Sequence, residues 1–294
     1  VLMRNSELTH DSLVSPYPEG TKLPEGAPPE AYDPICLGGV SRLVVDPSTL
    51  ERVSSNLVLA GTQRNCAGGP SPWGWLSCEE TTDTPNEFPV LTRRHGYVFA
   101  CPIDAEGVQA IEPIEAYGRF RHEAVAIIEG SNVAYLTEDT DLACVYRFVP
   151  KDPERPFEGQ LQALQIEGIE RADDWTKLVS GAIAEERVRW IDLEEIEDNV
   201  APAAHALGAT VFTRGEGIWA GPRGELFFCC TSGGVHGEGQ VFRLRHGGLD
   251  DGDTISLVVE ADGEGLTHPD NITVSPWGEL FVCEDDYSPR HDHI

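Results

Sequence analysis

Along much of the chain, short apolar runs alternate with tight polar turns, and one such unit recurs. Cys66 to Glu80, Glu123 to Asp139, Glu216 to Thr231 and Asn271 to Asp285 each open on a polar residue. Each continues through an apolar run, a Gly- or Pro-containing turn and a second apolar run, and closes on a Cys or Thr that acids follow in most copies. From the leading residue to the closing Cys or Thr the spacing is 12, 14, 13 and 12 residues. Two such runs around Pro-Trp-Gly, Gly-Ser-Asn or Pro-Arg-Gly predict antiparallel hairpins. A hairpin returns to its start, so the leading residues Cys66, Glu123, Glu216 and Asn271 are expected near Glu79 and Glu80, Glu138 and Asp139, and Glu284 and Asp285. Hairpins packed around one axis would direct these groups to a single central mouth.

Val1 to Leu8 resembles the second half of the repeat, with Asn5 and Glu7 where Cys-Glu-Glu and Cys-Glu-Asp stand later. Gly38 to Leu59 predicts two strands around an Asp-Pro-Ser turn. Ser15 to Pro34 is a Pro- and Gly-rich loop, of a length usually associated with function or mobility. Val188 to Leu193 reads as a strand, and 193–207 as a helical insertion despite Pro202. Strand-end markers recur at a mean of about 55 residues, close to the roughly 40–50 residues per blade of radial β repeats. The expected fold is therefore all-β, a six-bladed β-propeller over 1–294 as one domain. The apolar opening Val1 to Leu8 and the closing Arg290 to Ile294 suggest a fold cut at both ends, without the first blade's opening strands and the last blade's closing strands.

Charge narrows the partners. Of 294 residues, 21 are basic and 50 acidic, for a net charge of −29. Phosphate-backbone binding rests on Lys and Arg, so nucleic acid is an unsuitable partner and cations are suitable ones. No apolar run reaches the roughly 18 residues of a membrane span. None of the eight cysteines has a paired Cys-x-x-Cys spacing. Cys78, Cys229 and Cys283 occupy equivalent strand ends, where a buried thiol is expected, whereas Cys66, beside Ala67-Gly68-Gly69, reads as exposed on a loop.

Carboxylates gathered from several hairpins suit calcium, which takes six to eight oxygen ligands. A thiolate among them suits a softer or redox metal such as iron. Cys66, Glu123 and Glu216 are the leading candidates for metal ligation, followed by Glu79, Glu80, Glu138, Asp139, Glu284 and Asp285, whose alternative is solvation of edge strands. Asp270 and Asn271 could bind an ion or form an Asx-turn. Arg214, two residues before Glu216, offers a planar fork for phosphate or carboxylate oxygens, its alternative being a salt bridge to the acidic rim. His122 reads as a partner of Glu123 rather than a ligand.

RNCAGG with PWGWLSCEE, GRFRHEAVAI with YLTEDTD and YRFVP, FTRGEG, and HPDNITVSPWGELFVCED resemble, in order and over most of the chain, the PhoX-type alkaline phosphatases. That resemblance implies a six-bladed propeller with a central cluster of Fe3+ and Ca2+, hydrolysis of phosphate monoesters, and export by the twin-arginine route to the periplasm or the extracellular space. It implies an iron-ligating role for Cys66, metal ligation by Glu123 and Glu216, and phosphate binding by Arg214. Asn5 becomes a second substrate contact. Calcium ligands would come from Glu79, Glu80, Glu138, Asp139, Asp270, Asn271 and Glu284. Ser6 stands where the family usually has His, and FTRGEG lacks a common proline. A small phosphate ester is the expected partner and a monomer the expected state. Two other readings fit the pattern: a calcium-dependent lactonase or esterase, which leaves Cys66 and Arg214 without roles, and a non-catalytic, calcium-stabilised binding propeller.

Overall fold

The computed structural model describes residues 1–178, 185–248 and 252–285, which fall into two compact units, Val1–His122 and Glu123–Ile294. The regular structure of both is almost wholly antiparallel strand, as the hairpin pattern predicts. Arg290 to Ile294, read above as a cut end, lies outside the described residues.

In the first unit, β1 (Leu2–Ser6), β2 (Gly38–Val45) and β3 (Arg52–Thr62) form one sheet in that order, and β4 (Asn65–Ser71), β5 (Gly74–Glu79) and β6 (Val98–Cys101) form a second. Val40, Val58, Leu59, Tyr97, Phe99 and Cys101 make a buried cluster closed by Tyr32. The β4–β5 turn is Pro72-Trp73, and the Ser71 hydroxyl fastens it by accepting from the Trp73 N–H and donating to the Gly74 carbonyl. The pairing runs Asn65 to Glu79 and then Gly68 to Ser77, so Cys66 and Ala67 fill a bulge. Gly68 is required there: its φ is +154, and a Cβ would overlap the Leu76 carbonyl oxygen.

In the second unit, β7 (His122–Ile127), β8 (Ala134–Glu138), β9 (Tyr146–Pro150) and β10 (Gly159–Ile166) lead to a short helix α1 (Trp175–Leu178) and to β11 (Glu186–Asp192). Helix α2 (Val200–Ala206) precedes the meander β12 (Gly215–Ala220), β13 (Glu225–Cys230), β14 (Gln240–Arg245) and β15 (Thr254–Glu260). A final hairpin is β16 (Pro269–Val274) with β17 (Leu280–Glu284). Strands β7 to β11 and β12 to β15 join into one nine-stranded sheet where β11 pairs with β15. Phe212, Phe228 and Phe242 pack against one another at its core, with Trp175 edge-on to Phe242. Helix α2 confirms the helical insertion but is confined to 200–206. Pro202 falls in its first turn, where a missing N–H costs little, and Gly208, at φ +96, follows its end.

Two expectations about cysteines change. Cys66 lies within strand β4, half-buried, rather than on a loop, because the bulge supplies the local freedom that the glycines suggested. Cys283 is exposed, unlike Cys78 and Cys229, because it lies on the outer face of the two-stranded hairpin β16–β17. No helix among the described residues is long and apolar enough to cross a membrane.

Candidate metal centres

The bulge that carries Cys66 recurs. Gly215 pairs with Cys230 and Ile218 with Phe228, so Glu216 and Gly217 fill a bulge in β12. Pro269 pairs with Glu284 and Ile272 with Val282, so Asp270 and Asn271 fill one in β16. In all three hairpins the first bulged residue carries a side chain of a type that can ligate a metal: Cys66, Glu216 and Asp270. Register thus aligns Asp270, rather than the Asn271 reached by counting, with Cys66 and Glu216. Bulges re-aim side chains out of the alternation of a strand, and here they present them for another use.

In the first unit, the Cys66 sulfur and one carboxylate oxygen each from Glu7 and Glu80 lie within 4.8 Å of one another. Glu7 follows the end of β1 and Glu80 the end of β5. The Asn5 side chain fixes the bulge. Its Nδ2 donates to the carbonyls of Cys66 (3.1 Å) and Ala67 (2.6 Å), and its Oδ1 accepts from Trp75 Nε1 (2.9 Å) and Ser77 Oγ (3.1 Å). Ser77 Oγ in turn accepts from Asn65 Nδ2 (2.9 Å), and Asn65 Oδ1 accepts from the Thr62 hydroxyl (2.6 Å). Such a connected network holds its members more firmly than separate pairs would.

Glu79, next to Glu80, turns the other way and is fully buried. Its carboxylate accepts the N–H groups of Gln63 (2.8 Å), Gly96 (2.9 Å) and Tyr97 (3.3 Å), and its Oε1 lies 2.7 Å from His95 Nδ1. His95 Nε2 faces Cys36 Sγ at 3.6 Å and Asp33 Oδ2 at 3.7 Å. Burial alone would depress the imidazole, but the charge of Glu79 and bonds to Asp33, Cys36 and Glu79 carry it up to about 12. Burial opposes ionisation of Asp33 too, yet bonds from His95 and three main-chain N–H groups hold it at about 2. His95 is therefore an imidazolium clamped by buried carboxylates.

In the second unit, carboxylate oxygens of Glu123, Glu216 and Asp270 lie within 4.8 Å of one another. Glu216 is pushed up to about 10, by burial first and then by the charges of Glu123, Asp139 and Asp270, against the pull of Arg214. Asp270 is raised as well, mainly by burial. Buried like charges at this spacing hold a proton unless a cation replaces it, which is the chemistry of a hard-ion site. The arginine fork is directed at Asp139: Arg214 Nε donates to Oδ1 at 2.7 Å and Nη2 to Oδ2 at 2.9 Å, with Glu216 Oε1 3.1 Å from Nη2. Thr137 Oγ1 donates to the Glu216 carbonyl at 2.5 Å, fixing the bulge from β8.

The remaining candidates have partners within the fold. Glu138 Oε2 accepts from Tyr146 OH at 2.7 Å and from the Cys144 N–H at 3.2 Å. Asn271 Oδ1 accepts the N–H of Ile272, and Glu284 Oε1 accepts that of Thr267. His122 is buried against Phe120, with Nε2 2.9 Å from the Gly118 carbonyl oxygen, and desolvation depresses it to about 3.

A family model, alkaline phosphatase PhoX, matches residues 46–293. The chain belongs to the PhoX alkaline phosphatase family. Pseudomonas fluorescens PhoX, solved in complex with vanadate, a transition state analogue, shares the fold with a TM-score of 0.60 at 19% identity. The match covers 85% of this chain and 61% of that one, so the chain spans less than two thirds of its solved PhoX relative. No curated protein sequence matches significantly.

Sequence reasoning placed Glu7 at the strand end equivalent to Cys-Glu-Glu but did not name it as a ligand; that equivalence is the signal for it. The Asp33–Cys36–His95 arrangement went unanticipated. Asp33 and Cys36 are close in sequence, but His95 reaches them across about 60 positions, which no local pattern encodes.

Proposed function

We propose that this PhoX-family chain is a metal-dependent hydrolase of phosphate monoesters. The observation that carries the reading is the repeated bulge, which supplies Cys66, Glu216 and Asp270 from equivalent positions in a chain of this family. The donor chemistry fits the metals the family resemblance implies. One thiolate with Glu7 and Glu80 suits iron, and the all-oxygen set of Glu123, Glu216 and Asp270 suits calcium. Bound there, the metals would supply Lewis-acid polarisation of the phosphoryl oxygens and neutralise charge developing on them. Arg214, oriented by Asp139, adds a fixed guanidinium that favours the more charged transition state over the ground state. Asn5 keeps Cys66 in place. Glu138 and Glu79 brace the strand ends from within. Export from the cytoplasm and a monomeric state complete the proposal, on family resemblance alone.

The test is release of p-nitrophenol from p-nitrophenyl phosphate after loading with iron and calcium. Turnover that falls by several orders of magnitude in both Cys66→Ala and Glu216→Gln supports the reading. Full turnover in Cys66→Ala, or none in the loaded wild type, overturns it.

A further inference from the structure

A cavity of about 260 Å³ opens in the first unit beside Glu80, one of the three groups at the Cys66 centre. Its walls include His10, Arg64, Asp83, Phe88 and Arg121. Among the described residues, neither the Arg64 nor the Arg121 guanidinium has a hydrogen bond or ion pair within the protein, although the chain holds 50 acids against 21 basic residues. Acceptors share the same space. Asp83 takes only a long bond from Gln63 Nε2, at 3.3 Å, and Asp11 is exposed, with Thr9 Oγ1 2.5 Å from its Oδ1. The His10 ring meets Phe88 at 5.3 Å between centroids, forming an aromatic corner.

These features select among ligands. Two guanidiniums and the carboxylates of Asp11 and Asp83 balance, so once Glu80 serves the metal centre the cavity favours no net charge. A second anionic group would meet Asp11 and Asp83. An apolar leaving group would strand the unpaired guanidiniums. A hydroxyl both donates and accepts, so several hydroxyls on a small frame can serve arginines and carboxylates together while an aromatic face covers the frame's C–H groups. The volume falls just below the range of about 300–1,000 Å³ typical of drug-sized ligands, which suits a single sugar ring or a short polyol rather than a nucleoside.

We propose that this cavity is the leaving-group subsite, and that it takes a polyhydroxylated alcohol, a monosaccharide or short polyol esterified to phosphate. The chemical step rests on the phosphatase reading; binding in the cavity does not. In hydrolysis the ester P–O bond breaks, a water oxygen bonds to phosphorus in its place, and the alcohol leaves with a proton from that water. The cavity thus holds the alcohol half of the substrate and then the free polyol.

The experiment compares kcat/KM for glucose 6-phosphate with that for phenyl phosphate, in the metal-loaded wild type and in Phe88→Ala and Arg121→Gln, both at exposed positions. Saturation-transfer NMR with D-glucose reads binding separately. The glucose 6-phosphate to phenyl phosphate ratio is expected to fall about tenfold or more in each variant, and the D-glucose signal to disappear in both. A ratio within threefold of wild type in both variants overturns the proposal. If neither ester is cleaved, the phosphatase reading fails and the NMR decides for the cavity: a wild-type D-glucose signal lost in Phe88→Ala upholds it, and no signal with wild type overturns it.

Discussion

Asn5 holds Cys66 by its main chain: the side-chain amide donates to the Cys66 carbonyl at 3.1 Å and gives its other hydrogen to Ala67 at 2.6 Å. An asparagine side chain has two N–H donors and one carbonyl oxygen, and here both hydrogens are used and the oxygen already accepts two bonds. Family resemblance makes this residue a substrate contact, whereas its partners in the fold make it an anchor for the bulge. Asn5→Asp sets a carboxylate against two carbonyls and is expected to cost about 1–3 kcal/mol in stability, measured by urea unfolding. It should also weaken or shift the thiolate-to-iron absorption of the loaded protein and lower kcat. A rise in KM alone, with the absorption unchanged, would mark a substrate contact instead.

Glu216 crowds two other carboxylates, so replacing it should have opposite effects with and without ions. In chelator near neutral pH, Glu216→Gln is expected to melt above wild type, since wild type must take up a proton at Glu216 to relieve the buried repulsion and the amide need not. Calcium should stabilise wild type, by about 2.7 kcal/mol at a hundredfold excess over Kd, and stabilise the variant far less. Calorimetry at several calcium concentrations measures both. Equal calcium responses would show that Glu216 holds no ion.

The clamp on His95 predicts a pH dependence. Its folded value, about 12, stands above the ordinary 6.5, so the folded state binds the proton more tightly than the unfolded chain. That stabilisation is complete below about pH 6.5 and is lost as pH rises toward 12, with a slope of up to about 1.4 kcal/mol per pH unit for one proton. His95→Gln should flatten this slope between pH 7 and 10. It should also cost about 3–5 kcal/mol near neutrality, since Glu79 and Asp33 lose their buried counter-charge. Denaturant unfolding across the pH range tests both effects.

Arg214 and Asp139 form a two-pronged pair, so charge alone should not replace the fork. Arg214→Lys is expected to lower kcat/KM for phosphate monoesters about 10- to 100-fold. Asp139→Asn should have a smaller effect in the same direction, because the guanidinium stays but is less firmly aimed. Activity retained in Arg214→Lys would remove the fork from the phosphate-binding role.

The sequence made the hairpins and α2 legible because apolar alternation, Pro-Trp-Gly turns and helix-favouring composition are local signals. It put Cys66 and Glu216 at the heads of their hairpins for the same reason. It counted to Asn271 where the register gives Asp270, because a bulge inserts a residue without changing the apolar pattern. It treated Glu79 and Glu80 as equals, because composition does not reveal which of two neighbours faces inward. Asp33, Cys36 and His95 were beyond reach: a loop and the approach to a strand bring them together, and a buried imidazolium has no sequence signature.

Glu79 and Glu80 show how narrowly this motif is framed. One secures the interior through His95 and three main-chain amides, and the other stands beside the thiol. A one-residue insertion between the Pro72-Trp73 turn and Cys78 would carry Glu79 to the place of Glu80 and set Cys78 against the imidazolium, and a one-residue deletion would carry Glu80 to the place of Glu79 and leave Glu7 as the sulfur's remaining acid. Homologues can therefore vary the length of that turn freely, but the arm leading from it to the paired acids can change only by substitution.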